Sequence, residues 1–95
     1  PALLRLGWRA KRAGDYERAA SLWEEAGEAG EAEGWRELAM HHEHRTRDLD
    51  AALRAVDHGM RLVGEEGDGP SWHAAEGFRH RRQRLKRKKA RRRPS

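Results

Sequence analysis

Residues 4–30 read LRLGWRAKRAGDYERAASLWEEAGEAG, and the order of small, aromatic and turn residues within this stretch decides the fold. Leu3, Leu6, Ala10 and Ala13 recur at three- and four-residue spacing with Arg5, Arg9 and Arg12 opposite them, as an amphipathic helix requires. Gly14 stops that helix and Asp15 is placed to cap the next. The second helix offers Tyr16, Ala19, Ala20, Trp23 and Ala26 as its buried stripe. It is expected to run out between Gly27 and Gly30, because glycine in a helix costs about 1 kcal/mol relative to alanine.

The pattern continues outward from there. A third helix carries Trp35, Leu38, Ala39 and His42, and Arg45-Thr46-Arg47 breaks its spacing. Asp48 caps a fourth, whose stripe is Leu49, Ala52, Leu53, Val56, Met60 and Val63. Gly64 to Gly69 reads as a polar loop, and Pro70-Ser71 as the start of a last helix with Trp72, Ala75, Phe78 and Leu85 on its apolar face. No alternating pattern occurs, and β-branched residues amount to two valines and one threonine, so the fold class is all-α.

The second helix pair overlays the first about 33 residues later, with Ala52 on Ala19, Val56 on Trp23 and Gly59 on Ala26. Residue by residue, Leu6-Gly7, Gly14-Asp15-Tyr16, Ala19, Trp23 and Ala26 resemble the tetratricopeptide repeat (TPR) pattern, and Trp35, Leu38, Ala39, His42, Leu49, Ala52, Val56 and Gly59 form a weaker second copy. That copy has Ala39 where glycine is commoner and His42 where an aromatic is usual, and neither repeat ends in proline. The resemblance covers residues 2–63. It implies an α-solenoid fragment of two helix-turn-helix repeats with a C-terminal capping helix, and a tendency to bind a protein or peptide. In such a stack Gly7 and Ala19 let paired helices approach, and Trp23 fills the groove to the following repeat. The runs Glu37 to Arg45 and Asp48 to Leu53 are also similar to the C-terminal helical-repeat segment of bacterial ribonuclease-H-like exonuclease proteins. The metal ligands of that family belong to a preceding nuclease domain, so no catalytic residue is carried over. A chain opening on Pro1, already helical by Leu3, is expected to be an excised part of a longer protein.

Ninety-five residues allow one modest core, and the absence of cysteine excludes disulfides, thiolate metal sites and a cysteine nucleophile. No apolar run is long enough for a membrane span, which makes a cytoplasmic setting the expectation. The net charge of +5 hides an asymmetry. Residues 1–78, the helical domain, hold 10 Lys+Arg against 16 Asp+Glu for a net −6, while the tail at 79–95 holds 11 Lys+Arg and no acid. The candidate phosphate-binding residues are Arg79, Arg81, Arg82, Arg84, Lys86, Arg87, Lys88, Lys89, Arg91, Arg92 and Arg93, which occupy every side of a helix. Past Leu85 only Ala90 suits a core, so the tail is expected to extend the last helix, with its distal end solvated and disordered. Pairing of the tail with the acidic body, within or between molecules, is the competing account.

The first helices of the repeats line the concave side of such a stack. They nominate Arg5, Trp8, Arg9, Arg12, Arg36, Met40 and Glu43 as groove or partner-binding candidates, suited to an acidic peptide or a terminal carboxylate; a plain solvated face is the alternative. Trp23, Trp35 and Trp72 read as packing residues, whereas Trp8 either lies exposed in the groove or covers the end of the stack. His41, His42 and His44 with Glu37 and Glu43 form the one cluster with metal-ligand chemistry. His42 belongs to the packed stripe, however, and convergence of three or four donors is not encoded. No nucleophile, phosphate-binding glycine loop or paired-carboxylate motif accompanies it. The sequence thus describes a non-catalytic binding module with no cofactor, either contacting nucleic acid through its tail or acting purely in protein association, including self-association. A membrane role lacks the necessary apolar face.

Overall fold

Gly14, at φ +85°, reverses the chain after the first helix, and Gly30, at φ +101°, does so after the second; both occupy the left-handed region that glycine enters without a Cβ penalty. The protein is described here by a computed structural model covering residues 2–63 and 71–92, with side chains from residue 75 onward in the last helix. Five helices follow in order: α1 (Ala2–Arg12), α2 (Tyr16–Glu28), α3 (Ala32–His41), α4 (Leu49–Val63) and α5 (Ser71–Arg92), with a π-helical turn, His42–Thr46, closing α3. Each helix packs chiefly on its neighbours in the chain, and no strand occurs among the described residues. The fold is all-α.

Capping follows the sequence closely. The Asp15 carboxylate accepts a hydrogen bond from the Arg18 amide at 3.2 Å, and Asp48 accepts one from the Ala51 amide at 3.0 Å, each satisfying an orphan donor in the first turn of a helix. The turn between α3 and α4 is built differently. The Thr46 hydroxyl bonds the His42 carbonyl and imidazole and accepts from the Asp48 amide, which widens the last turn of α3 into a π-turn. Arg47 then adopts φ 59°, left-handed without being glycine.

The core contains Leu4, Ala10, Ala19, Trp23, Ala26, Trp35, Leu38, Ala39, Leu49, Ala52, Ala55, Val56, Phe78 and Leu85. Glycines let the helices close on it. A Cβ at Gly7 would overlap the Trp23 ring, and one at Gly34 would meet the backbone of Trp23 and Gly27, so α2 and α3 touch main chain to main chain. Gly59 leaves room for the Phe78 ring in the same way, and that contact docks α5 on α4.

Two expectations from spacing are corrected, the register of α1 and the burial of His42. In α1 the buried residues are Leu4, Gly7 and Ala10; Leu6 is 41% exposed, Ala13 is exposed and Leu3 half-buried. The inward face is centred on Gly7, which counting apolar side chains does not register. α2 ends at Glu28, between Gly27 and Gly30 as expected, and Gly27 itself is buried under Trp35, whose ring takes the space of its missing side chain. His42 is only half-buried, and Glu43 instead turns inward at the end of α3. In the basic segment α5 stays helical to Arg92 with Leu85 fully buried, and the distal residues 93–95 lie outside those described. Trp72, the 64–70 loop with Pro70, and Arg93 lie outside the residues or side chains described.

Candidate functional site

Glu43 is the carboxylate on which the basic segment converges. It is 4% exposed and stands where α3 widens into the π-turn. Arg84 donates to it through Nε and Nη2 at 3.2 and 2.9 Å, Lys88 Nζ at 2.7 Å and Arg81 Nη1 at 3.1 Å. Positions 81, 84 and 88 are three and four apart, so they share one side of α5 and reach one anion. Burial pushes the Glu43 carboxyl up, but the hydrogen bonds and charges of Arg84 and Lys88 more than offset this and bring its pKa down to about 2. The Arg81 guanidinium shifts downward, first through burial and then through the nearby Arg84 charge, against the pull of Glu43. Three cations serve one anion here. The excess positive charge is held in place by the fold.

The remaining inward cations of α5 are also engaged. Lys89 pairs with Asp50, Arg82 lies 3.6 Å from Asp57, and Arg92 donates to the Arg47 carbonyl at 2.8 Å. Arg79 pairs within its own helix with Glu76 at 3.4 Å. Lys86, Arg87 and Arg91 are exposed and have no ion-pair partner among the described residues. One strip of α5 therefore carries uncommitted charge, whereas the sequence had presented cations on every side. The signal that could have found this was the pairing of an isolated acid at a helix end with a following segment holding no acids at all.

The groove candidates scatter. Arg5, Arg9, Arg12 and Arg36 are exposed, and Trp8 is half-buried against the core. Met40 lines a cleft of about 180 Å³ with Tyr16, Trp23, His41 and Arg45, whose guanidinium sits 3.4 Å above the Tyr16 ring. Glu43, placed by spacing on an open groove, is committed to α5. A larger groove of about 740 Å³ opens on another side, between α2 and α4 with α3 as its floor. Trp35 and His58 stack there at 4.5 Å, with Arg54, Arg61, Glu24 and Glu28 around them and Leu62 40% exposed.

The histidines pack against one another. His41 and His42 meet edge to face at 5.1 Å, and both titrate below the ordinary imidazole range, chiefly through burial, with His42 and Arg45 adding to the effect at His41. Among the described residues no group of three or more histidines or carboxylates is arranged to hold a metal. None of the described helices is long and apolar enough to cross a membrane. Comparison with protein-family models, curated proteins and solved structures finds no match for this chain.

Proposed function

We propose that this chain is a non-catalytic interaction module of TPR-like architecture whose last helix contacts the phosphates of nucleic acid. The repeat reading is supported by the chain-order packing of helices and by small residues at each close approach, Gly7 under Trp23, Gly34 against Gly27, and Gly59 under Phe78. The observation that carries the nucleic-acid reading is the division of α5. Its inward cations are bound to Glu43, Asp50 and Asp57, and Lys86, Arg87 and Arg91 face solvent on a rigid helix. Cations fixed on one ridge attract a polyanion without reading base sequence, and binding releases counterions. Glu37 to Arg45 and Asp48 to Leu53 resemble the helical-repeat segment that follows a nuclease domain in the ribonuclease-H-like exonuclease family, and beside such a domain this module would help hold the nucleic acid.

The test is a salt series of binding to labelled duplex and single-stranded DNA. The full chain should bind with a duplex slope of log K against log salt of about −3, because three phosphates neutralised give roughly −0.9 each. Lys86→Gln with Arg87→Gln should cut that slope by about two, and Lys89→Gln, which faces Asp50, should leave it unchanged. Truncation at Phe78 is unsuitable as a control, since it removes Leu85 from the core and leaves Glu43 without its cations.

The 740 Å³ groove favours a second reading, a module for protein association alone, with Trp35, His58 and Leu62 as its contact surface. Under that reading neither nucleic acid binds at modest salt, and gel filtration at two concentrations reports self-association.

A further inference from the structure

Arg47 breaks a local rule. At the position after a helix, in the left-handed region with φ 59°, glycine or asparagine is favoured, and a long arginine carries a conformational cost with no compensating contact from its guanidinium among the described residues. Its carbonyl is occupied, accepting from Arg92. Non-glycine residues held in this way cluster at binding sites.

Beside Arg47 lies a cleft of about 240 Å³, lined by Glu43, Arg47, Leu49, Lys88, Arg91 and Arg92. It is formed only where the last turn of α5 meets the turn between α3 and α4. Four cations face one carboxylate there, and that carboxylate already accepts from Arg81, Arg84 and Lys88. A further anion would therefore meet excess positive charge. Arg47, from the turn after α3, and Arg91, from the last turn of α5, both line the cleft, each with an uncommitted guanidinium among the described residues, and two guanidinium forks suit the tetrahedral oxygens of a phosphate.

We propose that this cleft seats one phosphodiester of a nucleic-acid backbone, clamped between Arg47 and Arg91. The proposal rests on the nucleic-acid reading above and places one of its phosphates. Arg87, one helical turn before Arg91 and exposed, continues the positive surface out of the cleft toward the next phosphate of the strand. A free phosphate would leave it unused. The ridge has no apolar flank for lipid, because its exposed residues from Lys86 to Arg91 are charged apart from Ala90.

The experiment compares wild-type chain, Arg47→Gly, Arg91→Gln and Arg9→Ala for binding to labelled duplex and single-stranded DNA, with urea unfolding of each. Arg47→Gly should weaken DNA binding roughly tenfold at modest salt, as should Arg91→Gln, because each removes one of the two guanidinium groups on the same phosphate. Arg9→Ala, the same loss of charge on α1, should change affinity by less than about twofold. Arg47→Gly should also be as stable as wild type or more so, a combination that general damage to the fold does not produce. Wild-type binding with Arg47→Gly behaving as Arg9→Ala overturns the clamp and leaves the nucleic-acid reading standing. No wild-type binding overturns both. Inorganic phosphate shifting the Arg47 and Arg91 amide resonances while neither DNA binds overturns the backbone as occupant.

Discussion

The Lys88 ammonium lies 2.7 Å from Oε2 of Glu43, 45 positions earlier in the chain. With Arg81 and Arg84 on the same carboxylate, this contact makes a helix with little apolar surface part of the folded body, and Phe78 and Leu85 supply its hydrophobic hold.

Glu43 is thus the hub and each cation a spoke, which fixes an order of mutational costs. Glu43→Gln leaves Arg81, only 17% exposed at its side chain, without a compensating charge and should cost about 3 kcal/mol, as breaking a buried ion pair does. Arg84→Ala removes a half-exposed cation while Lys88 and Arg81 remain, and should cost about 1 kcal/mol or less. Urea denaturation midpoints at pH 7 check this. Equal losses for the two variants would mean that Glu43 has no central role.

Acid should weaken the fold in two windows. The folded pKa of Glu43 is depressed from 4.5 to about 2, so its stabilisation is complete above 4.5 and is lost as pH falls toward 2, a loss of about 3 kcal/mol. His41 and His42 are also depressed in the fold, from 6.5, because burial disfavours the imidazolium. The unfolded chain binds protons there first, and stability declines as pH drops below 6.5. Unfolding free energies at pH 7.5, 5.5 and 3 should fall in that order. In Glu43→Gln the step between 5.5 and 3 should shrink, while the earlier one persists.

The helices, their Asp15 and Asp48 caps and the Gly14 reversal were legible in the sequence because each is a local rule, written within four residues of where it acts. The Glu43 cluster was not, since its partners lie 38 to 45 positions away and residue spacing carries no information about them. At the end of α3 both His42 and Glu43 continue the stripe of Leu38 and Ala39 by spacing. Cations waiting on α5, together with the Thr46 bonds to His42, decide in favour of the acid. Uncommitted charge on α5 was equally hidden, because it is what remains after those distant pairs form.

The register of α1 gives a direct check on where spacing misled. Leu4 is 3% exposed in the core and Leu6 is 41% exposed, although both fit an apolar pattern. Leu4→Ala should cost about 2–4 kcal/mol, and Leu6→Gln less than about 0.5 kcal/mol. Thermal melts of the two variants suffice. A large loss from Leu6→Gln would mean that the face centred on Gly7 is not the buried one.

Three glycine-to-alanine changes separate the reasons for which glycine is used here. Gly77 is exposed within α5 with nothing near its would-be Cβ, so alanine should stabilise the helix by up to about 1 kcal/mol. Gly14 also has open space, but at φ +85° an alanine is strained, and a loss of about 1 kcal/mol is expected. Gly34 is in a helix, where alanine alone would help, yet its Cβ would meet the Trp23 carbonyl and the Gly27 amide, and backbone cannot swing aside as a side chain can. Overpacking should outweigh the helical gain and leave a net loss of about 2 kcal/mol. Melting temperatures should rank Gly77→Ala above wild type, then Gly14→Ala, then Gly34→Ala. If Gly34→Ala matched wild type, the main-chain contact between α2 and α3 would have to be looser than described, and with it the close stacking on which the repeat reading depends.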